Sequence, residues 1–371
     1  MVATSSFVVI KHKASAMIVA AAVVAVYVSS GDAVAQRSSV GNDRLPARHV
    51  LRRPALITGT PLAADSGLNL LVASLPPFVL DVDKEATTSL PGVSPRGRKV
   101  VWTVGIGGRA AVVAVGDIAD TNARLYSVTG RGTAVSYVGT GNVVWSSSEG
   151  RAAWVQRQLA ESRCTLRKVG LQGQVLRAPR AFPCARAYDP NGGALVLVVN
   201  GTRIIDPNTG LEVLKVPLDV IAGTGRRLVL GRWGRRETQL MLLDAATNEQ
   251  RRLAWPSALP YLDRPAVDPN GRFIALAFAD PVWNGGPEQA LDIWLLDTRT
   301  WRLTQLPSMP ALVSLKFTSI AWTDEGRLVL LAKELGGKEI VAVWRPGQEN
   351  LAIKTISLPR GTRSQSFEPL Q

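Results

Sequence analysis

"DPNGRFIALAFADP", residues 268 to 281, sets a polar turn in front of a short apolar run, and "DPNGGALVLVV", residues 189 to 199, nearly copies its first half. Asp and Asn side chains accept hydrogen bonds from neighbouring amides, and Gly takes the positive φ that a tight hairpin needs. The run behind the turn is rich in Ile, Leu, Val and Phe and too short for a helix, so it predicts a strand. Working outward, the same arrangement recurs at "DSGLNLLVAS" (from 65), "SPRGRKVVWTV" (94), "SSEGRAAWVQR" (147), "GTGRRLVLGRW" (223) and "TDEGRLVLLAK" (323). The marker glycines Gly67, Gly97, Gly150, Gly192, Gly225, Gly271 and Gly326 stand about 43 residues apart, the period of a propeller blade.

A second element follows the marker. "IIDPNTG" (204), "LLDAATN" (242) and "LLDTRTW" (295) share an apolar pair, Asp, and Thr three positions on. Asp206, Asp244 and Asp297 are therefore expected to start turns between third and fourth strands. Residues 54–359, divided by seven markers, allow four strands per unit, and no segment in this range has a sustained helical period. The expectation is an all-β chain, a β-propeller of seven four-stranded blades. Six or eight blades remain open, and so does whether residues 49–60 supply a first strand or an outer strand of the last blade.

The ends read differently. Lys11, His12 and Lys13 precede an uncharged, mostly apolar run from Ala14 to Val28, and Ala33, Val34 and Ala35 offer small residues for cleavage. The run is short for a membrane span, so residues 1–35 read as a secretory signal peptide, a retained membrane anchor being the other reading. Residues 36–53 read as a linker and 360–371 as a C-terminal tail. An exported, extracytoplasmic protein follows, and in that compartment the two cysteines, Cys164 and Cys184, are expected to pair. Neither has a second Cys or a His at metal-ligand spacing.

Several blades resemble a known repeat. "PAVDPNGRFIALAF" (265 to 278) is similar to the TolB-type propeller repeat, in which Trp, Ser, Pro, Asp, Gly and a basic residue lead into an apolar strand. "AWTDEGRLVLLA" (321 to 332) and "VWSSSEGRAAW" (144 to 154) keep the Trp and Gly, whereas Gly67 and Gly225 lack the Pro. The resemblance implies either an envelope interaction protein or the gating domain of a prolyl-oligopeptidase-like hydrolase. The second lacks its hydrolase residues here, for the sequence has no GxSxG nucleophile elbow.

Chemistry is sparse elsewhere. Removal of the signal leaves His49 as the sole histidine, so a Ser or Cys nucleophile has no ready base. Gly105, Gly107 and Ala110 match a loose dinucleotide pattern, but the β-branched run that follows predicts a hairpin loop. No cofactor is expected. A metal held by inward carboxylates in a central channel, as in a lactonase or small-substrate hydrolase, is the alternative to a non-enzymatic interaction module.

The charge offers one candidate site. The chain carries a formal +14, and 33 of its 43 basic residues are arginine. The densest stretch, "GRRLVLGRWGRRE", places Arg226, Arg227, Arg232, Arg235 and Arg236 around Trp233. Interleaved Arg and aromatic groups suit an anionic polymer, while a solvated hairpin is the plain reading. The expected partner is an envelope protein or an anionic cell-wall polymer bound by a monomer; an exported chain meets little nucleic acid. Most tryptophans fall at repeat positions suited to packing, leaving Trp233, Trp255 and Trp283 as those freer to face a ligand.

Overall fold

A computed structural model of the chain describes residues 59–93, 99–106, 110–117, 122–141, 143–146, 152–160, 163–183, 196–198, 203–205, 211–216, 218–231, 239–262, 265–279, 290–307, 312–314, 320–334, 338–362 and 366–370. The expected signal peptide, the linker, His49, Gly97, Gly150, Gly192 and Asp206 lie outside the described residues.

Strand β1 (Thr60–Pro61) is followed by the meander β2 (Asn69–Val72), β3 (Phe78–Asp81) and β4 (Ala86–Ser89). A second meander holds β5 (Lys99–Ile106), β6 (Ala110–Asp117), β7 (Ala123–Thr129) and β8 (Ala134–Gly141), with a 3-10 turn at Gly130–Gly132. The third holds β9 (Val143–Ser146), β10 (Ala152–Ala160), β11 (Arg163–Gly170) and β12 (Val175–Pro183). The fourth has β13 (Val196–Val198), β14 (Arg203–Ile205) and β15 (Glu212–Lys215). In the fifth are β16 (Asp219–Thr224), β17 (Arg227–Gly231), β18 (Gln239–Asp244) and β19 (Glu249–Ala254). Next come β20 (Tyr261–Leu262), β21 (Ala266–Val267), β22 (Phe273–Ala279), β23 (Ala290–Asp297) and β24 (Arg302–Gln305). The chain ends with β25 (Leu312–Ser314), β26 (Ile320–Trp322), β27 (Leu328–Glu334), β28 (Glu339–Trp344), β29 (Ala352–Ile356) and β30 (Phe367–Leu370).

The leading strands of successive meanders touch in sequence around an axis: β9 lies against β5, β5 against β30, β30 against β26, β26 against β21, and β21 against β16. This is a β-propeller. Burial falls from the axis outward, so that in the fifth sheet β16 and β17 are mostly buried while β19, "EQRRLA", is almost wholly exposed.

Period-two alternation distributes the apolar side chains between neighbouring sheets. In β27, Leu328, Leu330 and Ala332 pack toward β22 and β23, while Val329 and Leu331 pack toward β2 and β3. In β22, Ala275, Ala277 and Ala279 face one neighbour, and Ile274, Leu276 and Phe278 the other. A strand buried on both faces has no polar positions to alternate with, which is why the sequence shows continuous apolar runs. Each fully buried Leu or Phe contributes about 1.5–3 kcal/mol of transfer free energy.

Seven four-stranded blades are not what forms: the described strands make six hydrogen-bonded sheets. Four have four strands, the sheet of β13 to β15 has three, and one has eleven. The cause of the eleven is β25, which pairs with β23 through Ala290 and Leu291 and with β27 through Leu312, Val313 and Ser314. The units marked by Gly271 and Gly326 thus share one sheet, and counting marker glycines misses a ladder that crosses between units.

A second correction concerns the C-terminal residues, expected as a tail. Phe367–Leu370 form β30 and pair antiparallel with β2 from Asn69 to Val72, placing Phe367 and Leu370 in the core. Pro369 is tolerated because β30 is an edge strand of its sheet. At the other end, β1 pairs in parallel with β29 through Thr60–Ala352 and Pro61–Ile353, so the N-terminal strand completes the outer edge of the last unit. The first and last described strands are thus each held in a ladder with a segment from the opposite end of the described chain.

Candidate functional site

Three of the described marker turns are built by polar residues of their own unit. Asp268, 3% exposed, accepts the amides of Asn270 (3.2 Å) and Arg272 (3.3 Å), and its carbonyl accepts the amide of Gly271, whose φ is +68°. In the next unit Thr323 takes the role, its Oγ1 accepting the Arg327 amide at 3.1 Å. In the first sheet, Asp83 reaches across to accept from the Ser66 amide, the Ser66 hydroxyl and the Gly67 amide.

The third-to-fourth-strand turns begin, as expected, at Asp244 and Asp297. Asp297 Oδ1 accepts the amides of Arg299 (2.8 Å) and Thr300 (3.0 Å), and Asp244 Oδ1 accepts that of Ala246 (2.9 Å). Asp81, missed because "LDVDKE" lacks the Thr, does the same for Lys84 at 3.0 Å. Four residues after each Asp the backbone turns left-handed, at Glu85, Asn248 and Trp301. The Asp81 carboxyl is lowered below its ordinary range, chiefly by the Lys84 amide. Burial raises that of Asp297, but the amides of Thr300 and Arg299 and the charge of Arg272 outweigh it, so the net direction is also down.

These two sets of turns meet between sheets, and there cations bridge them. Arg227 donates through Nη1 to the Thr298 carbonyl of the neighbouring sheet, holds Asp244 at 3.8 Å, and lies over the Trp301 ring at 5.5 Å. Gly271 packs against Thr224, and a side chain at 271 would collide with it. Arg272 sits 3.6 Å from Asp297. Where the last unit meets the first sheet, Arg327 donates to the Ser66 carbonyl at 3.0 Å, and Lys354 Nζ donates to the carbonyls of Val82 (2.8 Å) and Asp83 (2.9 Å).

Of the expected arginine patch, Arg226 and Arg227 fall within the described residues. Arg226 is exposed on the β16–β17 turn, and Arg227 spans two sheets as described. Arg232, Trp233, Arg235 and Arg236 lie outside the described residues. Across the junction from Arg226 and Arg227 the structure places the exposed Arg272, Arg299 and Arg302, the latter two on and after the Asp297 turn. The signal was present in the sequence, in Arg226 and Arg272 directly after the marker glycines Gly225 and Gly271 and in "DTRTWR", but it becomes a cluster only when two units are laid side by side.

Other expected positions resolve plainly. Trp255 packs edge-on against Phe278 at 4.8 Å and donates to the Leu259 carbonyl, so it serves the core; Trp283 lies outside the described residues. Trp322 and Trp344 are buried and pack with Phe273. Gly105 and Ala110 belong to an antiparallel hairpin in which Ile106 pairs with Ala110, the loop reading. Cys164 is fully buried, within 3.5 Å of Gln156 Nε2; Cys184 lies outside the described residues. On the leading strand β30, Glu368 occupies the space above Gly105 of β5. Asp292 accepts from Ser257, Trp294 and Gln305, anchoring the loop that carries Trp255. Among the described residues no group of three or more His, Cys, Asp or Glu side chains is placed to share a metal ion, and no helix is long and apolar enough to cross a membrane.

No protein-family model matches the sequence, and neither does any curated protein. Among solved structures, the chain is similar to TolB from Acinetobacter baumannii at 13% identity, over 83% of this chain and 67% of that one, with a TM-score of 0.45. It is similar to the periplasmic gluconolactonase PpgL of Pseudomonas aeruginosa at 13% identity, over 82% and 99%, TM-score 0.47. The β-propeller domain of the Trilobed protease from Pyrococcus furiosus matches at 10% identity over 82% and 98%, TM-score 0.49. Likenesses this distant assign no activity.

Proposed function

We propose that the protein is exported and acts as a non-enzymatic interaction module at the cell envelope, with Cys164 and Cys184 joined in a disulfide. The observation that carries the reading is the employment of its carboxylates. Asp81, Asp83, Asp244, Asp268, Asp292 and Asp297 each accept hydrogen bonds that build a turn or anchor a loop. A carboxylate whose oxygens are engaged by the turn or loop it builds is fixed in place and poorly placed to exchange a proton with a substrate. Rigid turns on such a scaffold suit recognition.

The test is cross-linking in intact cells, followed by purification and mass spectrometry of what stays attached. An envelope protein or glycopolymer recovered reproducibly supports the module. Recovery of the chain alone, together with metal-dependent turnover of a lactone panel by the purified protein, replaces it with the channel hydrolase. Two free thiols in the unreduced, exported protein would sink the disulfide.

A further inference from the structure

We infer, resting on the interaction-module reading, that the junction of β16–β19 with β21–β24 is a docking face for a linear polyanion. Three turns meet there, held together by the Arg227 bond to Thr298 and the contact of Thr224 with Gly271. They present Arg226, Arg272, Arg299 and Arg302 to solvent. The aspartates of the same turns do not neutralise this face. Asp268 is buried, and Asp244 and Asp297 are mostly covered with their oxygens on turn amides and on Arg227 and Arg272. One exposed acid, Glu249, stands on β19, followed by the exposed Arg251 and Arg252. The net exposed charge is positive, on a backbone fixed by its own hydrogen bonds.

Charge alone does not separate a polymer from an acidic protein, but the apolar surface does. Protein interfaces are anchored by buried aromatic and aliphatic side chains at their centre. The large exposed apolar residues among those described are Leu75, Tyr137, Leu159, Val175, Leu176 and Leu211, and none belongs to this face. Trp301 is occupied under Arg227. What remains is a row of guanidinium forks, which match phosphate or carboxylate groups along a chain and draw their affinity from released counterions.

The experiment uses the full chain with two probes, long-chain inorganic polyphosphate and polyglutamate, each titrated across a salt series. Arg226→Glu, Arg299→Glu and Arg302→Glu are combined in one variant, with Arg163→Glu, exposed on β11, as the charge control. The expected result is binding at low salt to one or both probes, the phosphate and carboxylate arms showing which group is read. Affinity should fall ~tenfold or more in the triple variant, with a shallower salt dependence, and hold in the control. Equal loss in both variants, or no loss in the triple, removes this face while leaving the interaction module standing. Binding to neither probe overturns the polyanion. Capture of a folded acidic protein lost in the triple variant, without polymer binding, also overturns it in favour of a protein partner. Cross-linking that recovers no partner at all is the distinct failure of the broader reading.

Discussion

Two junctions in the ring use the same device and come out differently. Where the last unit meets the first sheet, Arg327 is 8% exposed and is engaged by the Ser66 carbonyl and by Glu325 at 3.2 Å, and Lys354 is bound by two carbonyls and Glu85. Where β17 meets the Asp297 turn, Arg227 makes the corresponding bridge from a half-exposed position, with further arginines around it. The first junction consumes its cations because it holds together segments 261 to 272 residues apart in the chain. The second is crossed by one continuous stretch of chain, so its extra charge is free of that duty and faces solvent.

The comparison breaks first at the closure. Deleting residues 367–371 removes two fully buried side chains, Phe367 and Leu370, and unpairs the edge of β2. Core deletions of Phe and Leu cost about 2–5 kcal/mol each, and whole domains hold only about 5–15 kcal/mol, so the truncated chain should be unfolded or molten. A cooperative thermal transition near that of the intact protein would show that β30 is dispensable. Next in size, Arg327→Ala should cost about 2–4 kcal/mol in urea denaturation, since it leaves a hole where a buried side chain stood and the part-buried Ser66 carbonyl unpaired. Arg227→Ala should cost about 1 kcal/mol, because water can replace a half-exposed guanidinium. Equal losses would erase the distinction between the two junctions.

Acid sharpens the same contrast. Asp81 and Asp297 have carboxyls lowered in the folded state, so each contributes stability that is full above the unfolded carboxylate pKa and is lost as pH falls through the lower, folded value. Denaturation midpoints should therefore hold from neutral pH down to about 4 and then decline. Asp297→Asn should flatten part of that decline at a loss of about 1 kcal/mol at neutral pH. A variant with the parental pH profile would mean that the turn amides do not discriminate the charged carboxylate.

The repeat was legible because tight turns demand particular residues. The marker glycines predicted positive φ, and Gly67, Gly225, Gly271 and Gly326 have it. Asp244 and Asp297 announced their turns through an apolar pair before the Asp and a Thr three positions after it. Sheet count was not legible, since β25 joins two units through backbone hydrogen bonds that any three residues can make. The C-terminal strand was hidden for a related reason: "FEPL" contains a Pro, which argues against a central strand and is silent about an edge. The arginine face was half legible. Arg226 and Arg227 were found as neighbours in sequence, whereas Arg272, Arg299 and Arg302 join them only through contacts between units, which one-dimensional charge density does not see. Arg232, Arg235 and Arg236, singled out by the same density, lie outside the described residues.

The smallest effect tests how far equivalent turns are interchangeable. Asn248 and Trp301 occupy the same place, four residues after the turn-starting Asp, with φ of 58° and 59°. A left-handed residue with a Cβ is strained, and Gly relieves the strain at the expense of a floppier unfolded chain. At Trp301 the exchange is unfavourable, because the indole packs against the core and carries Arg227 on its face. At Asn248 the side chain is exposed and Asn already tolerates the left-handed region, so the two terms nearly cancel. Asn248→Gly should change stability by no more than about 0.5 kcal/mol, measured by the urea midpoint at constant slope. A loss well beyond that would give Asn248 a bonding role in the turn, and the β18–β19 hairpin would then depend on its left-handed residue as the β23–β24 hairpin depends on Trp301.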